Sequence, residues 1–146
     1  MARQVSSDIV IDAAPATVFD VLADPGQHGL FDGSGSVKAK LSGPPRLYLG
    51  AHFAMRMRIG APYLTRNRVV EYDEDRRIAW RHFARHIWRY ELAAEGHATR
   101  VTETFDYAGA PAALIYERGG IPARNHASIE TTLQRLKVLV ESRSTR

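Results

Sequence analysis

The chain has 146 residues, 45% of them hydrophobic and 25% charged, with five Phe, six Tyr and two Trp, a content that excludes a disordered chain and fits one domain over residues 1–146. Twenty Lys plus Arg against 16 Asp plus Glu give a net charge of +4, and the lack of cysteine excludes disulfides, thiolate nucleophiles and thiolate-bound zinc. The polar stretch Met1–Ser7, and the lack of any run near the roughly 18 apolar residues of a membrane span, predict a cytoplasmic protein without integral membrane association.

Ser7–Asp12 sets Ile9 and Ile11 between polar neighbours, the two-residue period of a half-buried strand. Pro15 suits a first helical position, where its missing N–H has no partner in any case, and Val18, Phe19 and Leu22 share one face of the short helix that follows. Asp24-Pro25-Gly26 ends that helix. Gln27–Gly35, rich in Gly and polar residues, predicts a turn or a loop with one helical turn, and Ser36–Leu41 a further strand.

The centre predicts an antiparallel meander of Ala51–Ile59, Tyr63–Asp73, Arg76–Phe83, Ile87–Glu95 and Ala98–Tyr107. A side chain's face depends only on the parity of its position. Phe53, Met55, Met57 and Ile59 therefore share a face, as do Ile78, Trp80 and His82, then Trp88, Tyr90 and Leu92, then Val101, Glu103 and Phe105. Turns at Glu74-Asp75, Ala84–His86 and Gly96-His97 keep these sets opposite one another. The resulting rows are Met55, Asn67, His82, Trp88, Phe105 and Phe53, Val69, Trp80, Tyr90, Glu103. After a Gly119-Gly120 break, a helix from about Ala123 to Ser142 carries His126, Ile129, Leu133, Leu136 and Val140 on one stripe, with Lys137, Glu141 and Arg143 off it toward water. The pattern is α+β: two short helices after the first strand, an antiparallel sheet, and one long helix covering its apolar face.

Ile9-x-Ile11-x-Ala13-Ala14-Pro15-Ala16-x-Val18-Phe19-x-Val21-Leu22-Ala23-Asp24-Pro25 resembles the opening of the START-like, helix-grip superfamily, nearest its polyketide cyclase/dehydrase and lipid-transport (SRPBCC) group. Ala98–Glu103 and the terminal helix extend the resemblance along nearly the whole chain. It implies a seven-stranded curved sheet gripping the C-terminal helix, with a lumen between them for an apolar ligand. Many relatives carry a Trp soon after the Asp-Pro turn, where this chain reads Gln27-His28-Gly29-Leu30-Phe31-Asp32-Gly33.

Phe53, Met55, Met57, Trp80, Trp88 and Phe105 form a soft apolar wall suited to a lipid or polyketide-like compound, or else an ordinary packed core. Ile129 and Leu133 would roof the lumen, with His126 at its entrance. Asn67, His82, Tyr90 and Glu103 on the same faces call for a network, internal water or a ligand with polar groups of its own. Tyr90 faces Glu103 with His82 diagonally beyond, a candidate acid/base set for a cyclase or dehydratase, or a satisfied structural network. His28 and Asp32 belong to a loop that gates the mouth, binds a ligand head group or is merely solvated. His82 and His86 sit across a turn, so no metal site is predicted. Asp32-Gly33-Ser34-Gly35 lacks the context and the lysine of a phosphate loop, so no nucleotide or other cofactor is predicted either.

On the outer faces, Arg68, Arg81 and Arg89 fall opposite one another with Arg56 and Arg66 nearby. They are a solvated surface pairing with Glu91 and Asp106, or a docking face for an anionic partner. The preferred reading is a carrier of a hydrophobic, partly polar small molecule, not a nucleic-acid binder, with a homodimer left open.

Overall fold

The computed structural model describes residues 2–144. Strands β1 (Gln4–Ile11), β2 (Val37–Ser42), β3 (His52–Ile59), β4 (Ala61–Asp73), β5 (Arg77–His82), β6 (Ile87–Glu95) and β7 (Ala98–Asp106) form one curved antiparallel sheet in the order β1-β7-β6-β5-β4-β3-β2. Helices α1 (Pro15–Leu22) and α2 (His28–Phe31), with a 3-10 turn at Pro25–Gln27 between them, carry the chain from one edge strand to the other. Helix α3 (Ala113–Arg118) leads into α4 (Ile121–Ser144). This is the helix-grip arrangement that the sequence resemblance implies. No helix among the described residues is long and apolar enough to cross a membrane.

Helix α4 packs on β1 and β7 through Ile129, Leu133, Leu136 and Val140, all 0–1% exposed. Lys137 and Glu141, expected to face water, instead fasten the helix to β1. Lys137 Nζ donates to the Val10 carbonyl at 2.8 Å and to Glu141 Oε2 at 2.6 Å, and the Asp12 N–H donates to that same oxygen at 2.8 Å. Helix α1 starts at Pro15 and buries Val18, Phe19, Val21 and Leu22. Phe19 meets the edge of Tyr72 with ring centroids 5.4 Å apart.

The pleat faces run as expected, while the register differs in two hairpins. Between β3 and β4 the turn tightens to Gly60, whose φ of 70° suits a residue without Cβ, so Phe53 pairs with Asn67 and Met55 with Thr65. Between β5 and β6 the turn is Phe83–Arg85, one residue earlier than expected on both strands, so Trp80 pairs with Trp88 and Ile78 with Tyr90. Both shifts are by two residues, which moves partners along the strand and leaves each side chain on its face. The β4–β5 hairpin reaches the expected pairs by another route. Its turn has three residues, Glu74–Arg76, with Asp75 left-handed at φ 64°, and a bulge at Val70 restores Val69 opposite Trp80 and Asn67 opposite His82.

That bulge also reassigns faces near the turn: Tyr72 swings inward opposite Ile78, and Glu71 outward. Outside, Arg89 lies opposite Ala79 instead of Arg81, and its guanidinium bonds Glu71 at 2.7 Å and reaches Asp106 at 3.4 Å. Glu91 pairs with Arg77 instead. Arg68 and Arg81 remain opposed, and with Arg56 and Arg66 they are exposed, without a carboxylate partner among the described residues.

Shortening the helix stripe should be costly. We expect Leu136→Ala to lower unfolding free energy by about 2 to 5 kcal/mol in urea titration, and Val138→Ala, at a position 68% exposed, to stay within about 0.5 kcal/mol of the parent.

Candidate functional site

Towards its N-terminal end α4 stands away from the concave sheet, and between them lies a cavity of about 500 Å³. The volume falls within the range of small-molecule sites. Its sheet wall is built by alternate residues of β3 to β7: Phe53, Met55, Met57, Asn67, Trp80, Trp88 and Phe105 all line it, with Ile129 on the helix side. Leu133 lies below the floor in the packed core, and His126 lies outside the wall, its Nδ1 3.1 Å from Glu130 Oε1 on the helix surface. The stripe passes both positions, but one residue per turn, Ile129, marks where packing gives way to open space.

The cavity has a closed and an open end. Ile59, Tyr63, Phe83 and Arg124 form the exposed rim. At the closed end sit His28, Phe53, Trp80, Tyr90 and Glu103, each buried. The loop after α2 is held against α4 there. The Gly33 N–H donates to Thr132 Oγ1 at 2.8 Å, and a Cβ on Gly33 would lie 2.5 Å from the Thr132 backbone nitrogen. Asp32, which also lines the cavity, is held by the backbone N–H groups of Ser34 and Val37 and by the Ser34 hydroxyl.

Glu103 is 4% exposed, directly opposite Tyr90 on β6, and its Oε1 has no hydrogen-bond partner. Burial pushes its pKa up to about 8; the Tyr90 hydroxyl, which donates toward the carboxyl, pulls it back, and the nearby Asp32 charge adds to the rise. The Tyr90 phenol is itself held well above its ordinary value, first by burial and then by Glu103. A protonated carboxyl beside a phenol can donate to or accept from a ligand oxygen, the chemistry of a general acid/base pair or of a polar anchor.

The structure does not bring His82 to this pair. With Trp80 opposite Trp88, the indole row separates His82 from Tyr90, and His82 stacks on His86 at the rim with ring centroids 4.4 Å apart and planes 12° apart. Burial lowers His82 to about 4 and His86 to about 3, the latter also through the neighbouring His82, so both rings are neutral at pH 7. The Ala84 N–H donates to His82 Nδ1 at 3.0 Å, which leaves the ring proton on Nε2. His86 Nδ1 shares a 3.3 Å hydrogen bond with the Tyr116 hydroxyl.

The histidine that does reach the closed end is His28. Its ring stacks on Trp80 at 4.8 Å, and its Nε2–H donates to the Leu22 carbonyl at 2.9 Å, leaving Nδ1 a bare acceptor. Burial lowers its pKa, against the pull of that hydrogen bond. The spacing of His28 and Phe31, three apart behind Pro25, was the available signal that one helical turn would point both inward. Among the described residues, no group of three or more His, Cys, Asp or Glu is placed to hold a metal ion.

Comparison with other proteins finds the same overall fold and a family for the chain. The profile of the family described as polyketide cyclase/dehydrase and lipid transport matches residues 2–141. The chain belongs to that family. A Mycobacterium tuberculosis protein, Rv0088, itself described as uncharacterized, is 37% identical over 139 residues, covering 91% of this chain and 62% of that protein. The chain thus spans about three-fifths of the length of the curated relatives it matches. Two solved structures share the family fold at low identity. The AHSA1-like protein of Aeromonas hydrophila is 19% identical with a TM-score of 0.74, over 98% of this chain and 95% of that one. Protein NE0264 of Nitrosomonas europaea is 15% identical with a TM-score of 0.75, over 98% and 97%.

Glu103 gives this family member a pH signature. Its folded pKa lies above the unfolded value, so between about pH 4.5 and 8 the folded chain holds a proton that the unfolded chain has lost, and stability falls as pH rises through that window. We expect Glu103→Gln to match the parent's stability near pH 4 and to exceed it increasingly toward pH 8, by up to about 1.4 kcal/mol per pH unit, read by urea titration at each pH. A difference that does not change with pH would mean that Glu103 titrates normally.

Proposed function

We propose that this polyketide cyclase/dehydrase family member binds a hydrophobic, partly polar small molecule, such as a lipid or polyketide-like compound, and carries or sequesters it between sheet and helix. The single observation behind this reading is the cavity of about 500 Å³, walled by indole, phenyl and thioether groups and of a size that suits a small molecule. Apolar surface left facing such a space forgoes the stabilisation of burial, at roughly 25 cal/mol per Å², and a ligand of matching shape recovers it.

Filling the space from within tests the proposal. Native mass spectrometry of the freshly purified protein is expected to show a copurified apolar compound, and Met55→Trp, which puts a ring into the cavity, is expected to lose it while remaining folded. A parent protein found only at its own mass in every preparation, with no change in indole emission on adding apolar compounds, would argue against carriage. Both tryptophans line the cavity, so their emission reports directly on its contents.

A second reading, cyclisation or dehydration by proton transfer, is favoured by one specific observation: a buried carboxyl whose pKa is pushed up to about 8 on the wall of that cavity. In it Glu103 moves a proton beside a substrate carbonyl, and Tyr90 donates to the resulting oxygen. With such a substrate in hand, Glu103→Gln is expected to abolish turnover and change affinity little; equal loss of both would favour the carrier.

A further inference from the structure

The closed end of the cavity is polar in a restricted way. Glu103 Oε1 is the one buried side-chain oxygen or nitrogen without a hydrogen-bond partner among the described residues. Asp32 contributes a second carboxyl to the wall. No Lys or Arg lines that end: Arg124, the only such residue lining the cavity among those described, stands at the exposed first turn of α4, and Arg135, which is not part of the wall, donates to the Asp32 backbone carbonyl at 2.7 Å. The three wall imidazoles supply no positive charge either, because each is neutral at pH 7. A carboxylate or phosphate brought to the closed end would be stripped of water beside two carboxyl groups with no cation to compensate it. A hydroxyl or carbonyl pays no such penalty and satisfies a carboxyl that otherwise goes unmatched.

We infer that the cavity takes its ligand with an uncharged polar end, a hydroxyl or carbonyl, seated at Glu103 and the apolar body toward the rim, and that it selects against acidic amphiphiles. This rests on the proposed carriage of a small molecule and names the ligand's class. Glu103 is then a specificity residue, and His28 Nδ1, the bare acceptor stacked beside Trp80, lies on the same wall.

The test titrates the purified protein at pH 7 with four probes of near-equal length, undecane, decan-1-ol, decanoate and decylammonium, below their aggregation limits. Binding is followed by indole emission and calorimetry. Decan-1-ol is expected to bind at least tenfold more tightly than decanoate and more tightly than undecane. In Glu103→Leu, shown folded by urea titration, its advantage over undecane is expected to disappear. Decanoate binding as well as the alcohol would overturn the inference, and so would decylammonium binding best, since Glu103 would then act as a buried counter-ion. Equal affinity for undecane and decan-1-ol in the parent would overturn it while leaving carriage intact. Failure of all four probes, undecane included, would remove carriage and this inference together.

Discussion

The cavity exists because helix α4 touches the sheet along only part of its length. From Ile129 onward its stripe is packed to exclusion on β1 and β7, and Lys137 and Glu141 tie that half to the β1 backbone. Before Ile129 the same helix presents Ile121, Arg124, Asn125 and Ser128 to open space. A helix anchored at both ends would collapse the lumen, and one anchored at neither would have no fixed distance from the wall. The loop at Gly33, too close to the helix for a side chain, braces α4 where the two halves meet, at Ser128, Thr131 and Thr132.

Much of this architecture is legible from periodicity alone. Ile87–Glu95 has the strand bounds expected of it, and every inward set of the meander faces inward, because parity along a strand survives any even slip in register. What parity cannot report is how far the slip goes. Gly60 and Arg85 each let a turn close at a different place from the one expected, and the sequence offered equally plausible turn residues on either side. The same two-residue uncertainty decided the candidate acid/base set. Tyr90 and Glu103, joined by a turn that closed where expected, are together; His82, reached through the shifted hairpin, is not.

His28 illustrates the opposite failure. In a loop rich in Gly and polar residues its one periodic cue is the spacing to Phe31, yet one helical turn after Pro25 is enough to bury it against an indole. Loop residues take their surroundings from the whole fold, and a single chain read locally holds little record of them. The outer arginines show how charge resolves once geometry is known: Arg89 finds Glu71 and Asp106, while the opposed Arg68 and Arg81 stay in water, where like charges cost least.

The bulge at Val70 and the extra turn residue before Arg77 offset each other: the bulge leaves one residue unpaired on the β4 side and the turn takes one from the β5 side, so Val69 still faces Trp80. With the number of residues unchanged, straightening the bulge or tightening the turn alone would set Trp80 opposite an outward neighbour of Val69 and turn it out of the lumen into solvent. Losing both would leave the indole where it is. Deleting Val70 itself, by contrast, would leave a regular strand and the same three-residue turn, so the hairpin can lose that one residue with Trp80 still facing the lumen.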